Sequence, residues 1–164
     1  MTDDSTAKLA ELLKKFRIAM LTTVDSDGRL TSRPMAVQEA EFDGDLWFFA
    51  QRDAHQVANV RTQPEVGVAL ASKDAWVSIH GRAAVVDDNA KAHELWNSAV
   101  EAWFPDGPDD PNVVLLKVIA EGAEYWDSPG SRVTTLLSYA TSKLTGSRPD
   151  VGENERVELR AGRS

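Results

Sequence analysis

The sequence predicts a mainly β protein, a six-stranded antiparallel β-barrel with flanking helices, and three observations carry that expectation. Short apolar runs recur at near-regular intervals, as the strands of a small barrel do. Tight turn signals stand between them: Asp25-Ser26-Asp27-Gly28, Asp43-Gly44 and Ser72-Lys73-Asp74. Helical spacing is confined to a few stretches, which argues against an alternating βαβ sheet, and antiparallel closure disposes of bare sheet edges.

Taken in order, Asp3 to Phe16 is an opening helix, with Leu9, Leu12, Leu13 and Phe16 at helical spacing behind an Asp/Ser cap. Arg17 to Val24 is a buried strand, and Arg29 to Ala40 returns beside it. Asp45 to Ala50 is the third strand. Asp53 to Arg61 is a short helix that Asp53 should cap, with Gln56 completing a capping-box spacing, and the loop around Pro64 stops it. Glu65 to Ala71 and Ala75 to Val86 form the next two strands, and Gly81 marks a bulge or a close backbone approach in the second. Asp87 or Asp88 caps a helix reaching about Trp103, and Phe104 to Asn112 is a rigid loop rich in proline and aspartate. Val113 to Ala120 and Gly122 to Asp127 read as two strands. Ser131 to Leu144 has the spacing of an amphipathic helix ending at Gly146, and Glu155 to Leu159 of a short terminal strand.

The 164 residues, 42% hydrophobic and 27% charged, suit one domain over residues 1–164, with the core at about 17–127 and a tail at 131–164. There are no cysteines, which excludes disulfides, thiolate nucleophiles and cysteine metal sites, and fits a reducing cytoplasm. The N-terminus lacks the basic start and apolar stretch of a signal peptide, and no apolar run is long enough to span a bilayer. A net charge of −8 with no basic stripe argues against nucleic acid as a partner. The acidic clusters Asp25/Asp27, Glu39/Glu41/Asp43 and Asp106/Asp109/Asp110 sit among glycines and prolines and read as solvated turns rather than metal sites. His55, His80 and His93 share no ligand spacing, so no metal is expected. No dinucleotide fingerprint, phosphate-binding P-loop or nucleophile elbow is present.

The chemistry concentrates in Thr31-Ser32-Arg33-Pro34-Met35, Leu46-Trp47-Phe48-Phe49-Ala50 and Asp53-Ala54-His55-Gln56: a cation on a strand, an apolar strand, and the polar start of a helix. A helix N-terminus offers unpaired N–H groups and partial positive charge, so it is a natural seat for phosphate. With Arg33 folded over it, such a seat would suit a phosphorylated, flat, aromatic ligand. On the local pattern alone, a surface arginine beside an ordinary helix start is the simpler reading.

These residues belong to a longer pattern. Leu21-Thr22-Thr23, Thr31 to Met35, Trp47-Phe48-Phe49, Arg61 to Val66, Trp76 to Arg82, Trp103 to Gly107 and Tyr125-Trp126-Asp127 follow one another so that residues 20–127 resemble the pyridoxamine-phosphate-oxidase-like FMN-binding split barrel, in its general stress protein branch. The resemblance implies that Arg33 reaches the FMN phosphate and that Pro34 and Met35 lie along the flavin ring. It implies the same site for Gln38, Phe49, Ala50, His55, Gln56 and Trp76. Gln38 and Gln56 stand where relatives place lysines and His55 where they place an arginine, so phosphate recognition is less cationic here. Arg52, just before the helix, would substitute geometrically. The resemblance further implies a homodimer with the flavin in the cleft between protomers, and Trp47, Trp76, Trp103 and Phe104 supply aromatic surface for such an interface.

By the same resemblance the protein is a flavin-dependent oxidoreductase with a small-molecule redox partner and no residue marked as general acid or base. A true pyridoxamine-phosphate oxidase is not implied, because the C-terminal arginine and histidine motif has no counterpart beyond Arg156 and Arg160. Two alternatives stay open: a non-catalytic flavin-binding or flavin-sequestering stress module, and the same barrel holding a deazaflavin or haem.

Overall fold

A computed structural model describes residues 4–38, 42–127 and 153–159. Helix α1 (Asp4–Leu13) buries Leu9, Leu12 and Leu13, one apolar face of an otherwise polar segment. Strands β1 (Ile18–Val24) and β2 (Leu30–Ala36) form a hairpin in which Leu21 pairs with Arg33 and Thr23 with Thr31. Asp25 makes the turn, its Oδ1 accepting the N–H groups of Asp27 and Arg29, and Gly28 supplies the positive φ of 79°.

Strand β3 (Asp45–Gln51) leads into helix α2 (His55–Thr62), and β4 (Glu65–Ala71) and β5 (Ala75–Val86) form a second hairpin. Helices α3 (Asn89–Leu95) and α4 (Ser98–Trp103) precede the long strand β6 (Val113–Asp127), and β7 (Glu153–Glu158) follows. The sheet order is β2-β1-β4-β5-β6-β3, all antiparallel, and β7 also pairs with β6. Strand β6 can serve three neighbours because it is 15 residues long: β5 lies along one edge, β3 beside its first half and β7 beside its second. The end strands β2 and β3 touch without pairing among the described residues, so the wall closes with a seam.

The expected class holds, with corrections to its parts. The described residues contain seven strands rather than six. The two strands expected after Asn112 are one, because a bulge absorbs Glu121: His80 pairs with Gly122 and Gly81 with Ala120. Gly81 is a close approach as well, since a Cβ there would collide with the Ile119 carbonyl. The helix expected to reach Trp103 breaks at Trp96-Asn97. Asp88 caps α3, and Asn97 Oδ1 caps α4 by accepting from Ala99 and Val100 N–H. The expected helix over 131–144 lies outside the described residues. No helix among the described residues is long and apolar enough to cross a membrane.

Two apolar clusters result. The inner one runs from α1 through Leu21, Phe48, Val68, Ile79, Leu116 and Tyr125. The second lies across β3 and β6, where Phe49 and Leu115 meet Ala92, Leu95 and Val100 of α3 and α4, with Trp47, Trp96 and Phe104 packed against them. That half of the sheet is covered on both faces. The outer face of β1, β2, β4 and β5 carries no layer among the described residues.

Candidate functional site

The start of α2 is fixed by what its other residues bury. Val57 and Val60 enter the inner core, and Asn59 Nδ2 donates to Thr23 Oγ1 at 3.0 Å. Gln56 Nε2 reaches Met35 Sδ at 3.8 Å. The helix therefore packs against β1 and β5, and meets the hairpin at Met35 and Thr23. Arg33 shares the Met35 face, two residues from Met35 and opposite Leu21. Its side chain is exposed and makes no hydrogen bond or ion pair with any described residue.

The helix start differs from expectation. Its N-cap is Ala54, with no side-chain cap, so Asp53 does not cap and the Gln56 capping box does not form. An apolar cap leaves first-turn N–H groups without a side-chain acceptor. His55 is exposed at the first position of α2. Gln56 is only 7% exposed, and its Oε1 is buried with no partner.

Arg52 has another task. Its guanidinium forks onto Asp87 at 2.8 and 2.6 Å, and Nε donates to the Pro111 carbonyl at 2.8 Å. The hydrogen bonds to Arg52 hold the Asp87 carboxyl below the usual carboxylate range, and those to Asp87 raise Arg52. Substitution for a missing phosphate cation would require Arg52 to leave this clasp. Nearby, His93 Nε2 lies 2.8 Å from Asp109 Oδ1, and Asn89 Nδ2 donates to the same oxygen at 2.9 Å. Both bonds, the His93 one foremost, hold the Asp109 carboxyl low. Together these contacts fasten the Phe104–Asn112 loop to α3 and β5, around a shallow cleft lined by Arg52, Asp87, Asn89 and Pro111.

The remaining expected residues are dispersed. Ala50 points into the inner core beside Val114. Gln38 is buried and satisfied: Nε2 donates to the Ala36 carbonyl, and Oε1 accepts from Asn97 Nδ2 at 3.0 Å, tying the end of β2 to the α3–α4 junction. Phe49 turns the other way, edge-on to Trp96 with ring centroids 5.4 Å apart. Trp47 and Phe104 are half-buried in the same cluster. Pro34 and Trp76 face outward. Trp76 is 41% exposed, paired with Ala71 and Trp126, and lies three strands from β2.

The outer face holds what the sequence reading missed. Ile18, Met20 and Leu30 are exposed there with Trp76, beside Pro34, Ala36, Ala69 and Ala71. The signal was present in Ile18–Val24, where apolar residues occupy both alternating positions, as in a strand covered on both faces. His80 stands on this face with its ring over Gly122.

Comparison with known proteins agrees with this architecture. A general stress protein 26 of Bacillus subtilis (strain 168) is 28% identical over 125 residues, spanning 72% of this chain and 85% of its own. A crystal structure from Jannaschia sp. CCS1, named after general stress protein 26, superposes with a TM-score of 0.77 at 26% identity, covering 95% of this chain and 99% of the other. The general stress FMN/FAD binding protein of Xanthomonas citri is 35% identical with a TM-score of 0.65, over 76% of this chain and 89% of its own. The family described as pyridoxamine 5'-phosphate oxidase like matches residues 4–150. This chain, a general stress type split barrel by fold and by its relatives, belongs to that family.

Proposed function

We propose that this protein binds FMN at the start of α2 and acts as a flavin-dependent oxidoreductase of the general stress protein type, as a cytoplasmic homodimer with a small-molecule redox partner. One observation carries the reading. Arg33 makes no hydrogen bond or ion pair with any described residue, and two residues along its strand Met35 meets Gln56, in the uncapped first turn of α2, whose Oε1 has no partner.

These residues fit a phosphorylated ligand. Arg33 would supply a cation, the N–H groups of His55 and Gln56 would supply donors (that of Val57 is already bonded to the Ala54 carbonyl), and the helix dipole favours an anion there. Met35 and Gln56 meet there and His55 opens the same helix, while Gln38 and Phe49 are held in contacts with the α3–α4 region. Pro34 and Trp76 face away, so they would meet a flavin only across a second copy. The uncovered outer face, with Ile18, Met20, Leu30 and Trp76 exposed, supports that assembly. Bound flavin would supply the redox chemistry, and the protein its position and electrostatic field. The flavin named for the Xanthomonas citri protein supports the choice of ligand class.

The test is the absorbance of the purified protein, with any released cofactor identified by mass. A flavin spectrum and the mass of FMN are expected, followed by reduction with NAD(P)H and reoxidation by an added acceptor. Bound flavin that is never reduced would favour the sequestering module. A deazaflavin or haem spectrum, or failure to take up added FMN, would overturn the reading.

A further inference from the structure

Two glutamines, Gln38 and Gln56, are buried, and their surroundings differ. Gln38 has both amide atoms satisfied, by Ala36 and Asn97, so its role is structural. Gln56 is equally buried, yet Oε1 has no partner and Nε2 touches only the Met35 sulfur at 3.8 Å. A thioether is a weak acceptor. A buried amide left in this state lowers stability, since an unmet polar group forfeits its hydration. Methionine would fill the same space without that loss. The amide is also loosely held, because its weak contact to Met35 is its single tether among the described residues.

We propose that Gln56 is a specificity-determining residue whose Oε1 accepts a hydrogen bond from a ligand hydroxyl, so that it reads the polyol chain of a flavin rather than the phosphate. The inference rests on the flavin reading above. Its chemistry follows from the missing partner: an orphaned carbonyl oxygen needs a donor, and a fully ionised phosphate has none. Sugar-chain hydroxyls have donors, and in FMN they lie between the ring and the phosphate that Arg33 would hold. Position supports this, because Gln56, in the first turn of α2, meets Met35, which lies two residues from Arg33 on the same strand face.

The experiment compares the full-length protein with Gln56→Met, using FMN, riboflavin and lumiflavin, a flavin ring without the polyol chain. The variant should melt at the same or a higher temperature without ligand. Its affinities for FMN and for riboflavin should both fall, about three- to tenfold, as expected for one neutral hydrogen bond. The FMN-to-riboflavin ratio should hold, and lumiflavin binding should be unchanged. Loss confined to FMN would mean that Gln56 reads phosphate, and equal loss for lumiflavin would mean that it positions the ring. No loss for any flavin, or a lower melting temperature, would make Gln56 structural. Each of these outcomes overturns the inference while leaving flavin binding intact. If the unaltered protein binds none of the three, the flavin reading falls and the inference with it.

Discussion

Two arginines stand out as candidate phosphate ligands, and the fold treats them in opposite ways. Arg52 is forked onto Asp87 and bonded to the Pro111 carbonyl, so three of its donors are engaged within the chain. Arg33, on β2 two residues from the Met35 that Gln56 touches, engages no described residue. The contrast extends to their neighbours. Around Arg52, Asn89, His93 and Asp109 complete one another's hydrogen bonds. Around Arg33, α2 has no side-chain cap and Gln56 leaves an oxygen unmet. A region whose polar groups are paired holds the fold in place. A region with unpaired groups keeps donors and acceptors for another molecule, and a buried one such as Gln56 Oε1 is rare in a folded chain. The outer sheet face is the apolar counterpart of the Arg33 region: Ile18 and Leu30 are 56% and 74% exposed there, with no layer over them among the described residues.

The largest effect should come from that face. The protein without ligand should sediment as a dimer at about micromolar concentration, and Met20→Asp or Trp76→Asp should leave it monomeric. A buried, unpaired interfacial charge costs about 3–5 kcal/mol, which is more than a hundredfold in association. If the flavin lies between protomers, FMN should also raise the melting temperature of the dimer and bind the monomeric variants poorly. A monomeric variant that binds FMN at full strength would confine the ligand to one chain, and Trp76 would leave the site.

A smaller effect separates the arginines directly. FMN should bind at least about tenfold more tightly than riboflavin, because a charge-assisted contact contributes about 1.5–3 kcal/mol. Arg33→Ala should remove that advantage, weakening FMN by about ten- to a hundredfold while riboflavin is little changed. Titration against tryptophan fluorescence reads both. Equal affinities in the unaltered protein would show that the phosphate is not read at α2.

The same contrast explains which features the sequence revealed. Strands with clean alternation, such as Glu65–Ala71 and Ala75–Val86, were legible to the residue, because burial on one face writes period two into the chain. Gly81 was legible as a close approach, because only a missing Cβ fits against the Ile119 carbonyl. Asp53 misled: a good capping residue lies beside the helix start, but the chain enters the helix one residue later, through Ala54. The break at Asn97 was hidden by unbroken helical spacing, and it becomes visible only with the long-range bond to Gln38, 59 residues away. Arg52 and Arg33 look equally eligible as phosphate ligands in the sequence. What separates them is Asp87, 35 residues after Arg52 and brought beside it by the path of β5. Pattern reveals elements, whereas the partner of a polar side chain depends on tertiary contacts.

The smallest effect tests that last distinction. Arg52→Ala should leave FMN affinity near its original value and lower the melting temperature slightly, since its partners are structural and exposed. Acid should act on the same contacts. Arg52 holds the Asp87 carboxyl low, and His93 with Asn89 holds that of Asp109 low. A carboxyl whose folded pKa lies below its unfolded value contributes stability at neutral pH. That contribution is lost as pH falls below about 4, through the folded value. Melting temperatures measured from neutral to acid should therefore fall less steeply in Asp87→Asn than in the unaltered protein, and the Asp109→Asn profile should flatten similarly. Neither substitution should change FMN affinity at neutral pH. If Arg52→Ala instead weakens FMN as much as Arg33→Ala does, Arg52 leaves Asp87 for the phosphate when ligand arrives. The Asp87 clasp would then be the holding place of a second phosphate cation, and the two arginines would form one site.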